Sequence, residues 1–289
     1  EGQSFGGSNG GGMVLNSSSP TLSNLLISGN SCPATDFSGG SGGGMVMNGG
    51  ASVLTNVAFV NNSAYSGGGL SASSAFTMTN CVFSGNTANA GGGGMIVGGA
   101  SPTLTNVVFA NNAATRTVGF TANGGAMVNN GGVTTLVNCT FFGNSATGGG
   151  GVMYNVNLTT VRDLNGIYYG NSAPTSPDVY KNPNSFDTST FTSTTALFGT
   201  DPKFVNSADP DGPDNQWMTT DDGLSIASNS PAINAGTAAG APATDIRGVT
   251  RTGNPDQGAY EYTPCVTPTA FSVTCGGSFC AGGSGVAVG

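Results

Sequence analysis

Apolar and polar positions along residues 13–171 fall into one repeating pattern, in which a glycine run leads to an aliphatic residue and a short alternating stretch, then to two asparagines enclosing an apolar segment. The second half of the unit reads Asn24-Leu-Leu-Ile27-Ser-Gly-Asn30, Asn56-Val-Ala-Phe59-Val-Asn-Asn62, Asn80-Cys-Val-Phe83-Ser-Gly-Asn86, Asn106-Val-Val-Phe109-Ala-Asn-Asn112, Asn138-Cys-Thr-Phe141-Phe-Gly-Asn144 and Asn165-Gly-Ile-Tyr168-Tyr-Gly-Asn171. The two asparagines stand six residues apart in every copy. The first half is anchored at Gly-Gly-Met13, Gly-Gly-Met45, Gly-Gly-Leu70, Gly-Gly-Met95, Gly-Ala-Met127 and Gly-Gly-Val152, and these anchors recur after 32, 25, 25, 32 and 25 residues.

A repeat of this length is one supersecondary unit that buries its apolar face by stacking on its neighbours. The units are built from β-formers, show no helical period and place Gly or Asn at each corner, which predicts an all-β solenoid, a parallel β-helix with one repeat per coil. The usual hand of parallel crossovers makes it right-handed. Coils about 4.8 Å apart would stack Phe59, Phe83, Phe109 and Phe141 in the interior. Asn30, Asn62, Asn86, Asn112, Asn144 and Asn171 would form a ladder at one corner, on left-handed backbone, each amide donating to the next. Six coils make a rod of about 25–30 Å, so the chain reads as a short stretch of a much longer polypeptide.

Two resemblances attach to these residues. The paired signals Phe-x-x-Asn, as in Phe59 to Asn62, and Gly-Gly-Ala-Met, as in Gly124 to Met127, resemble the repeats of chlamydial polymorphic membrane proteins, which are autotransporter adhesins. Most copies here carry Gly-Gly-Gly, and no outer-membrane barrel follows, so the likeness covers the repeats and not the anchor. Further on, Asp201-Pro-Lys-Phe204, Asp221-Asp222-Gly-Leu224, Ser230-Pro-Ala-Ile-Asn-Ala-Gly236, Asp245-Ile-Arg-Gly248 and Gly258-Ala-Tyr-Glu261 resemble the ending of the choice-of-anchor β-helix proteins exported by Bacteroidetes and related bacteria. That resemblance implies final coils and a C-terminal cap over residues 172–262, after six coils in 1–171. The tail Thr274-Cys-Gly-Gly-Ser-Phe-Cys-Ala-Gly resembles the start of an immunoglobulin-like repeat, so 263–289 is expected to be a linker and the truncated start of a following β domain.

Composition changes the picture by exclusion. Fifty glycines and few charges would suggest disorder, but the periodic Met, Phe and Val predict a packed core. A net charge of −8 argues against nucleic acid as a partner. No stretch is long enough to cross a membrane and no signal peptide stands at Glu1, so a secreted or cell-surface module cut from a longer precursor is expected. Within residues 2–161 the charged side chains are Asp36 and Arg116 alone. Glycoside hydrolysis needs paired carboxylates, and β-helix lyases need carboxylates and a base, so the regular coils supply neither set. With no histidine in the chain, a His-based triad is excluded, and the expectation is a non-enzyme.

Candidate sites lie off the regular pattern. Fifteen residues separate Asn30 and Asn112 from their next anchors, against eight or nine elsewhere, and the two longer segments hold Asp36, Phe37, Arg116 and Phe120. They form a candidate recognition surface on one corner, or they are loops that merely tolerate length. Asp209, Asp211, Asp214, Asp221 and Asp222 gather the hard oxygen ligands calcium selects, or serve as a solvated turn; calcium is the one candidate cofactor. Trp217 beside them is a sugar-stacking platform or a packing residue of the cap. Cys81 and Cys139 share a repeat position two coils apart, about 10 Å, and read as free core thiols. Cys275 and Cys280 flank a Gly-Gly turn and can bridge in an oxidising compartment, whereas Cys32 and Cys265 have no obvious partner. The predicted function is an adhesin or stalk of an exported protein, meeting surface glycans or other surface or secretion proteins. The alternatives are a glycan-binding module, a carbohydrate-active enzyme with its site in the cap, and an extracellular filament segment.

Overall fold

The computed structural model describes residues 10–32, 39–116, 119–182 and 186–264. Asp36, Phe37, Cys265, Cys275, Cys280 and the expected immunoglobulin-like start lie outside the described residues.

The chain winds into a right-handed parallel β-helix of three sheets. The first sheet stacks Met13–Asn16, Met45–Asn48, Leu70–Ala72, Met95–Gly98, Met127–Asn130, Met153–Val156 and Val179–Lys181 in order. The second runs from Thr21–Ser28 through Ser52–Val60, Phe76–Ser84 and Thr103–Ala110, then splits in each later coil, ending at Thr190–Thr194 and Leu197–Phe198. Ser31–Cys32, Ser63–Ser66, Thr87–Gly91, Ala113–Ala114 and Ser145–Ala146 form the third, shorter sheet. A seventh turn therefore follows the six read from the repeat. The sixth anchor also shifts by one: Met127 pairs with Met153, and Val152 takes the place of Ala126, because the glycine before the anchor is replaced in both coils.

Why glycine precedes the anchor is visible at Gly43. A Cβ there would lie 2.3 Å from the Ser63 carbonyl oxygen and 2.5 Å from that of Gly68, so the coils meet at a distance only hydrogen permits. Inside, Phe59, Phe83, Phe109, Phe141 and Tyr168 stack with centroids 4.6, 4.9, 5.0 and 4.9 Å apart, and Phe198 continues the column at 4.4 Å. Each such contact is worth about 0.5–1.5 kcal/mol beyond area burial.

The inner asparagines form a continuous ladder. Nδ2 of Asn30, Asn62, Asn86, Asn112 and Asn144 donates to Oδ1 of the next at 2.9–3.1 Å, and Asn171 closes the series on Asp178 Oδ1 at 3.1 Å. From Asn62 to Asn171 each amide also donates to a main-chain carbonyl of the preceding coil. Asn86 Nδ2 donates to the Phe59 carbonyl, and Asn86 Oδ1 accepts from the Asn62 N–H. The left-handed backbone expected at these asparagines falls elsewhere. It belongs to the first asparagine of each pair, with φ of 50–59° from Asn24 to Asn165, and to the residue before each inner asparagine, such as Asn61 and Gly85. The tight corner precedes the inner asparagine and leaves its side chain aimed into the core.

The C-terminal cap takes the form of a flank cover. Residues 199–262 carry no named strand and lie along the outer face of the second sheet, where Leu224, Ile246, Ala259 and Tyr260 bury Ala58, Val82, Val108 and Ala110. Those outward residues are apolar, so the sheet is buried on both faces where the flank covers it.

Candidate functional site

Asn30 and Asn112 both lead into strands of the third sheet, Ser31–Cys32 and Ala113–Ala114, so the two longer segments leave the same corner. Of the four residues read as a recognition surface, Arg116 and Phe120 are described and stand together. The Arg116 guanidinium lies 5.8 Å from the Phe120 ring centroid and 6.0 Å from that of Tyr65, and its Nη1 donates to Tyr65 Oη at 2.9 Å. The backbone beneath is pinned, because Thr115 and Arg116 N–H donate to the carbonyls of Ala88 and Asn89. Phe120 is 71% exposed, so the patch presents an aromatic face to solvent beside a cation. Tyr65 lies in a regular strand, Ser63–Ser66; its outward position beside the long loop was the only signal for it.

The acidic residues of the flank are turned to local structure. Asp221 accepts from the Thr219 hydroxyl at 2.6 Å and the Asp214 N–H at 3.2 Å, and the Thr219 bond holds its carboxyl below the usual range. Asp214 accepts from the Gln216 N–H. Asp222 is buried against Tyr260, whose hydroxyl donates at 2.7 Å, and burial pushes its carboxyl up to about 6. Asp211 instead lines a groove, while Asp209 sits at the turn whose N–H donates to the Asn206 carbonyl. Among the described residues no three His, Cys, Asp or Glu side chains are grouped to hold a metal ion, so the five carboxylates do not converge as calcium requires.

That groove, about 760 Å³, separates the first coils from the flank cover. Asn24, Asn56, Asn80, Leu26 and Ala58 line one side; Asp211, Gln216, Trp217, Met218 and Arg247 line the other. Trp217 is half-buried and packs with the flank's apolar cluster, so it serves both as a packing residue and as groove wall.

The motifs Asp245-Ile-Arg-Gly248 and Gly258-Ala-Tyr-Glu261 hold the flank together. Arg247 donates to Asp245 Oδ2 through Nε and Nη2, at 2.9 and 2.7 Å, and to the Glu261 carbonyl at 2.6 Å. Arg251 pairs with Glu261 at 2.8 Å and reaches the coil at Asn106 Oδ1. Both pairs are nearly or fully buried, and removing one partner would leave a charge without solvent.

Further ionisable groups lie in the core. Cys81 and Cys139 are fully buried free thiols, pushed up to about 12 by burial. Asp163, absent from the sequence reading, faces inward and is pushed up to about 6 by burial.

No protein-family model matches the chain, and no curated protein matches it. The fold and its sites define an all-β parallel solenoid with, among the described residues, no metal-binding group and no helix long and apolar enough to cross a membrane. Such an arrangement is consistent with a non-catalytic structural or binding module.

Proposed function

We propose that the chain is a non-catalytic module of a secreted or cell-surface protein, a stiff stalk that also carries an adhesive patch. The observation that carries this reading is the contrast between wall and patch. Among the described residues from 10 to 161 the one charged side chain is Arg116, and it lies within 6.0 Å of two aromatic rings. Arg, Tyr and Phe are the residue types that anchor protein and glycan contacts. Behind the patch, the amide ladder and ring column tie successive coils together, which suits a spacer that must hold its shape.

Retention on immobilised surface glycans and on bacterial or host surface proteins tests the patch. Phe120→Ser and Arg116→Ala each reduce retention at least tenfold if it is adhesive; undiminished retention in both variants removes that role. A filament reading has one observation in its favour: Thr190–Thr194, on the last described coil, is largely exposed, and Phe198 at the end of the ring column is 42% exposed. Sedimentation showing concentration-dependent end-to-end assembly would favour it.

A further inference from the structure

The outer asparagines Asn24, Asn56, Asn80, Asn106, Asn138 and Asn165 form a single row, all on left-handed backbone. The chain itself occupies the lower half of that row. Asn106 Nδ2 donates to the Thr244 carbonyl at 2.9 Å, and Asn138 Nδ2 to those of Asp256 and Gly258 at 2.9 and 3.2 Å. Asn165 donates to the Thr237 carbonyl at 3.0 Å and accepts the Thr237 N–H at 2.9 Å. These flank partners are main-chain groups; the Arg251 side chain, which donates to Asn106 Oδ1, makes the flank's one side-chain hydrogen bond to the row among the described residues. Alongside, Ile246 and its neighbours cover the outward apolar residues Ala58, Val82 and Val108.

Both rows continue past the point where the cover stops. Leu26 precedes Ala58 in the apolar row, by the pairing of Leu26 with Ala58 and Ala58 with Val82, and it is 69% exposed. Among the described residues Asn24, Asn56 and Asn80 take no bond from the flank; their amides meet one another and Asn106, through Asn56 to Asn24 and Asn106 to Asn80 at 3.0 Å. They face the groove whose far wall holds Trp217.

We propose that this uncovered stretch is a docking groove for an extended polypeptide segment of a partner protein. Its main chain takes the amides of Asn24, Asn56 and Asn80, and one apolar side chain covers Leu26. The argument is continuity with an interface the molecule already makes: an amide presents one donor face and one acceptor face, matched to a peptide unit, and the same two rows bind a peptide one coil further on. A sugar could use the amides, but it has no aliphatic side chain to bury the exposed Leu26.

Trp217 is the sole tryptophan, so its emission reports occupancy of the groove. The probe is a synthetic peptide of residues 241–251, whose Thr244 carbonyl and Ile246 side chain make the same contacts beside Asn106. Titrated against the full chain, it is expected to shift the emission saturably. Binding weakens at least tenfold in Leu26→Asp and in the double variant Asn24→Ala/Asn56→Ala. Val205→Asp, at a residue 63% exposed and outside the groove, leaves it unchanged. Leu26 is open to solvent, so its replacement does not threaten folding. The proposal is overturned by the absence of a saturable response or by a response that survives both groove variants. It is equally overturned by a response to neutral oligosaccharides alone, which would assign the groove to a glycan. A shift that grows with protein concentration without peptide would assign it to a second copy of the chain, and would also overturn it.

Discussion

Asp163 stands in register with Leu136, so a carboxyl group continues the inward row formed by Leu22, Leu54, Met78, Leu104 and Leu136 in the preceding coils. It is 4% exposed; the Ser193 hydroxyl donates to Oδ2 at 2.6 Å, and burial raises its pKa to about 6. Asp222, in the flank, is raised to about 6 for the same reason. A group that holds its proton more tightly when folded favours the fold most below its unfolded pKa of about 4, and that contribution is lost as pH rises to about 6. Urea midpoints are therefore expected to fall between pH 4.5 and 7.5. Asp163→Leu should raise stability at pH 7.5 by on the order of 2–3 kcal/mol and flatten the profile. Equal midpoints at the two pH values would contradict the assignment.

The two asparagine rows should respond differently to substitution. Asn86 makes bonds to Asn62, Phe59 and Asn112, and Asn86→Ala would strand buried donors and acceptors in neighbouring coils, at a cost of about 3 kcal/mol. Asn56 has φ of 53° and sits outside, so Asn56→Gly keeps the turn and costs under about 1 kcal/mol. Denaturant melts of both variants check this; equal losses would mean the inner ladder holds nothing the outer row does not.

Phe109 lies between Phe83 and Phe141 at 4.9 and 5.0 Å and is fully buried. Phe109→Ala opens a cavity in the middle of the column and should cost about 3–5 kcal/mol. Phe198, 42% exposed at the end of the column, should cost less than half as much on the same change, by chemical denaturation.

Cys81 and Cys139 should resist alkylation in the native state. Burial raises both thiols to about 12, so the reactive thiolate is scarce as well as inaccessible. Peptide mapping after iodoacetamide treatment is expected to show both unmodified until urea unfolds the chain, and modification of either in the native protein would refute their placement.

The repeat was legible because stacking returns each residue type to the same place. The Phe column and the inner ladder follow from counting six residues between asparagines. The anchor at Met153 was legible too, since Val152-Met153 aligns with Ala126-Met127, but the glycine rule pointed one residue early. The flank cover left a signal in Val57-Ala58-Phe59 and Val107-Val108-Phe109: consecutive apolar residues in a strand are buried on both faces. No such signal marks the groove, because its walls lie more than a hundred residues apart in sequence, from Asn24 to Trp217. Asp163 could have been found as the one acid in a row of Leu and Met, once the register was known.

The central claim, that this solenoid recognises and holds rather than cleaves, is tested most directly by incubating the full chain with acidic and neutral polysaccharides and reading product masses beside retained protein. The account predicts unchanged polymer masses, with any retention lost in Phe120→Ser; the appearance of new fragment masses that scale with protein concentration would contradict it.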